Sequence, residues 1–195
     1  MIRAFIAIDL SPEIQRRLEE VAGQLKQHLP GVPVRWVPVE NVHLTLKFLG
    51  DVSSSNLEML KRILETEVHN HHHFEISVGE LGAFPSERRP RVIWVGVEAP
   101  AELSAIQHGI EAETARLGYP AEERAFSPHL TLGRVARNAT PQNINQISRV
   151  LTSYKIGFLG ATRVQAVHLY RSDLGAGGAI YTQLFSAMLS VQGNH

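Results

Sequence analysis

Two copies of one tetrapeptide, His-Leu-Thr-Leu, occur at residues 43–46 and 129–132. In a β-strand, side chains two positions apart point to the same face, so each tetrad places an imidazole beside a hydroxyl and its two leucines on the opposite face. One imidazole can take a proton while the other gives one near neutral pH. The hydroxyls can donate hydrogen bonds to a phosphoryl oxygen. The repeated tetrad therefore predicts metal-free acid–base chemistry on a phosphodiester.

The candidate catalytic residues are His43 and His129, and the candidate oxyanion-binding residues are Thr45 and Thr131. A single strand histidine is more often a half-buried residue that bonds a backbone group, but two in identical tetrads at matched positions favour catalysis. Valine would fill a purely structural role at both threonine positions equally well, so the hydroxyls favour a polar role. The spacing is symmetric and leaves open which histidine is the acid.

Two cationic side chains follow the tetrads. Arg134 lies five residues after His129, and strict alternation puts it on the opposite face, but Gly133 could permit a β-bulge that re-aims it. A guanidinium can bind two phosphate oxygens at once, so Arg134 is either a phosphate ligand or a solvated arginine at a strand end. In the first half, Lys47 shares the face of His43 by alternation and is a weaker candidate for the same role.

Other segments carry weaker signals. The histidines of 69–73 lie where a helix end meets a strand, and a solvated loop is a better interpretation than a metal site. The segment 175–178 lacks the residues and context of a phosphate-binding loop, and it predicts a hairpin. No metal or other cofactor is expected. The candidate base-stacking aromatics are Trp36, Phe84, Trp94, Tyr170 and Tyr181.

Composition limits the ligand and the compartment. The 195 residues carry a formal net charge of zero, whereas proteins that wrap long nucleic acids usually carry a marked basic excess. If the ligand is a nucleic acid, we expect contact with a terminus or a few nucleotides. The chain has no cysteine, which suits a reducing cytoplasm, and its first apolar run is too short for a membrane span. We therefore expect a cytoplasmic protein, without a membrane and without an obligatory protein partner.

The elements that must position the tetrads repeat in the same order around them. In the first half, a strand at 2–8 precedes a helix that starts at Ser11-Pro12, a short strand near 34–37, the tetrad strand and a second helix. In the second half, a strand at 91–97, a helix, the tetrad strand and another helix follow in turn. Each half then ends in two strand-like runs, which are 74–83 with 91–98, and 156–170 with 179–191.

These elements predict an α+β fold with two pseudo-symmetric lobes of antiparallel sheet and outer helices around a central cleft. No Pro/Gly/Ser-rich linker separates the halves, so residues 1–195 are expected to form a single bilobed domain. Its first half spans about 1–98 and its second about 91–195, with the strand at 91–98 shared. A pseudo-two-fold axis near the tetrad strands would make the two histidines neighbours across the cleft.

Both tetrads lie within longer motif segments, 41–50 and 126–134, and further motifs occur at 5–9, 36–38, 82–85, 89–94 and 181–182. In these segments the chain resembles the two-histidine phosphoesterase superfamily. Within that superfamily it is similar to the RNA 2′,3′-cyclic phosphodiesterases, also called 2′-5′ RNA ligases.

The resemblance implies metal-independent opening of a terminal RNA 2′,3′-cyclic phosphate to a 2′-phosphate, with an RNA 3′ end or a short oligonucleotide as partner. It assigns His43 as proton donor to the 3′-oxygen and His129 as the proton acceptor that activates water. Thr45, Thr131 and Arg134 would hold the non-bridging oxygens. Ligation through a 2′-5′ bond and opening of a nucleotide cyclic phosphate stay open within the superfamily. A non-catalytic RNA-end binder is the alternative of a different class.

Overall fold

The computed structural model describes residues 1–191, which contain nine β-strands, four α-helices and one 3₁₀ turn. In chain order these are β1 (Ile2–Ile8), α1 (Pro12–His28), β2 (Val34–Trp36), the 3₁₀ turn (Val39–Asn41), β3 (Leu44–Val52), α2 (Ser54–His69), β4 (Phe74–Ser86), β5 (Arg89–Glu98), α3 (Ala101–Arg116), β6 (His129–Val135), α4 (Pro141–Ser153), β7 (Phe158–Val164), β8 (Ala166–Gly175) and β9 (Gly178–Met188).

The strands form two antiparallel sheets, and the predicted α+β class is confirmed. The first sheet has the order β3-β1-β8-β9, and the second has the order β2-β6-β5-β4-β7. Each sheet combines strands from both halves of the sequence, so the lobes do not coincide with the halves 1–98 and 91–195. Because neither half alone contains a complete sheet, we propose that the chain is one bilobed domain.

The single strand-like run expected at 156–170 is wrong, because two strands occupy that stretch. β7 pairs with β4 in the second sheet, β8 pairs with β1 in the first, and Gln165 separates them. Each strand has apolar residues that face the core, so apolar residues recur through the whole stretch. This pattern does not indicate which sheet a strand joins. The hairpin expected at 175–178 is confirmed, since β8 pairs with β9 up to Gly175 and Gly178.

The helices cover the outer faces of the sheets. Helix α1 starts as predicted, because Ser11 Oγ accepts a hydrogen bond from the Ile14 N–H and Pro12 lies in the first turn. Helices α1 and α4 contact strands of the second sheet, whereas α2 and α3 pack on each other and contact strands of the first. No helix within residues 1–191 is both long and apolar enough to cross a membrane.

The four tetrad leucines anchor the two functional strands in the core, as the alternation predicts. Their exposed fractions are between 0% and 4%. Burial of a leucine side chain contributes about 1.5–3 kcal/mol to folding, so the orientation of each tetrad is strongly set. The buried leucines are Leu44, Leu46, Leu130 and Leu132. The opposite face of each tetrad thereby points away from this core.

Candidate active site

The strand of the second tetrad contains a β-bulge that brings a cation onto the tetrad face. The register of β6 against β5 slips by one residue at Leu132, the last residue of the tetrad. A bulge of this kind adds one residue to the strand and shifts its alternation by one. Arg134 therefore lies on the same face as His129 and Thr131, and its side chain is exposed. This position agrees with the alternative in which a β-bulge near Gly133 re-aims Arg134.

The first tetrad has a bulge at the same position, but there the bulge turns the following cation, Lys47, away from the tetrad face. The register of β3 against β1 slips at Leu46, and Lys47 then lies on the core side of the sheet. Its Nζ donates to Glu111 Oε2 at 2.7 Å and to the carbonyl oxygen of Pro120, and its side chain is 1% exposed. The expectation that Lys47 shares the face of His43 is therefore wrong, because the bulge reverses the alternation after Thr45.

Phe48 takes the position on β3 that Arg134 takes on β6. It lies opposite Phe5 in the register of β1 and β3, and 62% of its surface is exposed. The two rings are 6.1 Å apart between centroids. The two tetrad faces thus continue differently, with an aromatic ring in the first sheet and a guanidinium in the second.

His43 directly precedes β3, and both of its ring nitrogens lie near oxygen atoms. Its Nδ1 lies 3.0 Å from the carbonyl oxygen of Asn41, and its Nε2 lies 3.4 Å from Asp9 Oδ1. The side chain is only 10% exposed, and the ring packs against Tyr170 and Tyr181 with centroid distances of 4.7 and 5.7 Å. A carbonyl oxygen can only accept, so Nδ1 carries a proton and donates it.

His129 repeats one half of this arrangement. Its Nδ1 lies 2.8 Å from the carbonyl oxygen of Ser127, also two residues earlier in the chain. Phe84 lies edge-on to the imidazole at 4.8 Å, and Trp94 is 6.4 Å away between centroids. Both tetrad histidines therefore have Nδ1 bound to the backbone, which leaves Nε2 as the atom for proton transfer.

Asp9 is the centre of a polar network that the sequence did not indicate. Its Oδ1 accepts a hydrogen bond from the Tyr170 hydroxyl, and its Oδ2 lies 3.4 Å from Nε2 of His168. The Nδ1 of His168 lies 2.7 Å from Ser186 Oγ. The available signal was weak: a single acidic residue ends the apolar run of β1, while Tyr170 and His168 lie more than 150 positions away.

Burial dominates the titration of two residues in this network. It lowers the pKa of His168 below 6.5, although the carboxylate of Asp9 acts in the opposite direction and His43 adds to the lowering. Burial, together with the hydrogen bond to Asp9, raises the pKa of the Tyr170 hydroxyl well above its usual range. Neutral His168 and neutral Tyr170 therefore surround the carboxylate near neutral pH.

A cleft of about 510 Å³ lies beside His43. The tip of the β8–β9 hairpin lines it, together with Asn41, Tyr170 and Tyr181. Asn41 Nδ2 donates to the carbonyl oxygen of Ala179 at 2.8 Å, so one residue joins the hairpin to the backbone that holds His43. The sequence pattern predicts this hairpin but does not indicate that it lies at the site.

Four of the five candidate stacking aromatics lie beside a tetrad histidine. Tyr170 and Tyr181 contact His43, and Phe84 and Trp94 contact His129. Trp36 is different, because it packs near Gly133 on the core side of β2.

The histidine cluster at 69–73 lies at the end of α2 and before β4. His72 forms a bridge with Ser190, and the N–H of Ser190 donates to the carbonyl oxygen of His71. Among residues 1–191, no group of three or more histidine or acidic side chains is arranged to hold a metal ion. The cluster is thus part of the contact with the chain after β9.

Known proteins resemble this chain over nearly its whole length. A family model described as LigT like phosphoesterase matches residues 8–94 and again 95–181. The RNA 2′,3′-cyclic phosphodiesterase of Methanothermobacter thermautotrophicus is 34% identical over 183 residues, which cover 94% of this chain and 96% of that protein. The Escherichia coli protein of the same name is 31% identical over 183 residues, with 93% of each chain covered.

Solved structures agree with these matches. The crystal structure of Escherichia coli LigT complexed with 3′-AMP superposes with a TM-score of 0.77 at 28% identity, covering 97% of this chain and 98% of that one. A Thermus thermophilus protein superposes with a TM-score of 0.79 at 26% identity, covering 98% of this chain and 100% of that one.

Proposed function

Because the chain belongs to the LigT-like phosphoesterase family, we propose that it hydrolyses the 2′,3′-cyclic phosphate at an RNA 3′ end to a 2′-phosphomonoester without a metal ion. The observation that carries this proposal is the matched anchoring of His43 and His129, each with Nδ1 on a backbone carbonyl. The relatives named RNA 2′,3′-cyclic phosphodiesterase support the substrate class. The substrate is an RNA 3′ end or a short oligonucleotide, and the cysteine-free chain suits the cytoplasm.

In the proposed reaction, a water oxygen attacks phosphorus while the bond from phosphorus to the 3′-oxygen breaks. His129 Nε2 takes a proton from the water, and His43 Nε2 gives a proton to the departing 3′-oxygen. One water molecule is added in total, and the 2′-oxygen keeps the phosphate. The next turnover requires the two imidazoles to exchange their protonation states with solvent.

Asp9 supports this order of the two histidines. Nδ1 of His43 donates to a carbonyl oxygen, and its Nε2 lies 3.4 Å from a carboxylate oxygen, so the proposed acid has a counter-charge beside the atom that gives the proton. Within residues 1–191, no carboxylate oxygen lies within 4 Å of a ring nitrogen of His129. In the neutral ring with its proton on Nδ1, Nε2 carries the lone pair that a general base requires.

Thr45, Thr131 and Arg134 are proposed to bind the non-bridging phosphate oxygens. The threonines lie on the tetrad faces, opposite Ala7 and Trp94 in the sheet registers, and both are half-buried. Their hydroxyls can donate to an oxygen whose negative charge grows in the transition state. The bulge that re-aims Arg134 adds a guanidinium that can bind two oxygens at once.

Product analysis tests the proposal. Purified protein is incubated in excess EDTA with an RNA oligonucleotide that ends in a 2′,3′-cyclic phosphate, and the product is compared by ³¹P NMR with synthetic 2′- and 3′-phosphates. We expect the 2′-phosphate, at an undiminished rate. A 3′-phosphate product would show that the bond to the 2′-oxygen breaks, and not the bond to the 3′-oxygen. Activity that is lost in EDTA and restored by one divalent metal would contradict the two-histidine mechanism. Joined RNA halves would instead indicate ligation, and binding without turnover would indicate an RNA-end binder.

A further inference from the structure

Four arginines surround a cavity of about 680 Å³ at the end of the second tetrad strand. The lining residues are Arg35, Arg91, Arg134, Val135, Ala136 and Arg137, with no acidic side chain among them. Within residues 1–191, none of these arginines has a carboxylate oxygen within 4 Å. Because the whole chain has zero formal net charge, this arginine cluster is a local concentration of positive charge rather than part of a basic surface.

The sheet forces two of these charges together. Arg35 of β2 lies directly opposite Arg134 of β6 in the antiparallel register, so the two side chains share a face with Cβ atoms about 4.5–5.5 Å apart. Directly opposed like charges destabilise a sheet. Arg91 adds a third charge, since its guanidinium donates to the carbonyl oxygen of Ala136 at 3.4 Å and is thereby held at the cavity. Such an arrangement is relieved by a bound anion.

We propose that the arginine cluster binds phosphodiester groups of the RNA upstream of its reacting end. This inference rests on the proposed function, in which Arg134 holds the reacting phosphate. Arg35 lies beside Arg134 and away from the histidine along the sheet, so the cavity continues the anion site outward. An RNA chain whose last phosphate is at the tetrads carries one further negative charge on each upstream nucleotide, and guanidinium groups bind phosphate oxygens in pairs.

The cluster therefore predicts a preference for oligonucleotides over mononucleotides. The test compares uridine 2′,3′-cyclic monophosphate, which has no upstream phosphate, with an oligouridylate that ends in a 2′,3′-cyclic phosphate. The test variant is Arg35→Gln/Arg91→Gln/Arg137→Gln. The matched control is Arg16→Gln/Arg62→Gln/Arg149→Gln, which removes three exposed helical arginines and so changes the net charge equally.

For the test variant, kcat/KM on the oligonucleotide should fall by about 10-fold or more at low salt. The slope of log(kcat/KM) against log[salt] should become less steep by about 2, since each lost phosphate contact removes about 0.7 from that slope. Turnover of the mononucleotide should stay near wild type, which also shows that the fold is intact. Equal losses on both substrates, an unchanged oligonucleotide rate, or an equal loss in the control variant would each overturn the inference.

A binding measurement separates this inference from the proposed function. If the wild-type protein hydrolyses neither substrate, the proposed function fails. The Kd of a fluorescent oligouridylate with a 3′-phosphate then tests the arginine cluster by itself. A Kd weakened in the test variant and not in the control supports the cluster as an RNA-backbone site. An unchanged Kd overturns the inference.

Discussion

Nε2 of His43 lies 3.4 Å from Oδ1 of Asp9, and this relationship distinguishes two tetrads that are otherwise identical. The carboxylate is a negative charge within ion-pair distance of the imidazole, and its other contacts, to Tyr170 and His168, hold it in place. The second tetrad shares the backbone anchor of its histidine but has no such carboxylate within residues 1–191. The two tetrads therefore share the backbone anchor of their histidines and differ in whether a carboxylate lies beside the ring.

Replacement of Asp9 by Asn should lower kcat, because the carboxylate beside Nε2 of His43 is lost as a counter-charge for the proposed proton transfer. We expect kcat to fall by about 10- to 100-fold. This is less than the whole contribution of a general acid or base, which is about 10²–10⁴-fold. Asp173→Asn, which removes an exposed carboxylate paired with Arg171, is the control. A kcat of Asp9→Asn that stays near wild type would contradict a role for Asp9 in turnover.

The two histidines should act as a unit. His43→Ala and His129→Ala should each reduce kcat by orders of magnitude with the fold retained, and the double variant should be little worse than the more damaged single one. The wild-type pH profile of kcat/KM should be bell-shaped, with both limbs belonging to the pair. His72→Ala, in the exposed segment before β4, should stay near wild type. An inactive His72→Ala variant beside an active tetrad variant would move the active site.

Removal of a tetrad hydroxyl should weaken transition-state binding more than substrate binding. Thr45→Val and Thr131→Val keep the side-chain shape and should each lower kcat by up to about 10²–10³-fold, the cost of one lost oxyanion donor. Thr182→Val, at an exposed position of β9, serves as the control. A change in KM alone would show that the hydroxyls bind the substrate and the transition state equally.

Lys47 should matter for stability and not for turnover. Lys47→Met leaves Glu111 charged and largely buried, which typically costs about 3–5 kcal/mol of unfolding free energy. Urea unfolding measures this loss, and kcat of the folded fraction should be retained. Lys61→Met breaks the more exposed pair with Glu58 and should cost about 0–1 kcal/mol. A large fall in kcat at unchanged stability would contradict this prediction and indicate that Lys47 acts at the phosphate site.

The lowered pKa of His168 makes stability sensitive to mild acid. Because the folded-state pKa lies below the ordinary 6.5, the unfolded chain binds this proton first as the pH falls. The free energy of unfolding therefore decreases as the pH drops from 6.5 toward the folded-state pKa, and this contribution stops changing below it. His168→Gln should lose less stability than wild type over this interval in urea titrations. The exposed His108→Gln is the control, and parallel curves for wild type and His168→Gln would contradict the prediction.

The sequence by itself determined the two faces of each tetrad and most of the elements. Histidine and threonine two positions apart, with leucines between them, specify one polar and one buried face wherever the segment forms a strand. The cap at Ser11-Pro12 and the apolar stripe of α1 likewise specify a helix by local rules, and the structure agrees. These features depend only on neighbours along the chain, so a single sequence was sufficient to predict them.

Tertiary structure alone decided everything that depends on which strands become neighbours. Slips at Leu46 and Leu132 sent Lys47 into the core and Arg134 to the tetrad face, because a bulge is defined against a partner strand and not within its own sequence. The pairing of β7 and β8 with different sheets has the same origin. Asp9 reached His43 and His168 only because β1 lies between β3 and β8, a contact between distant segments that no local periodicity records.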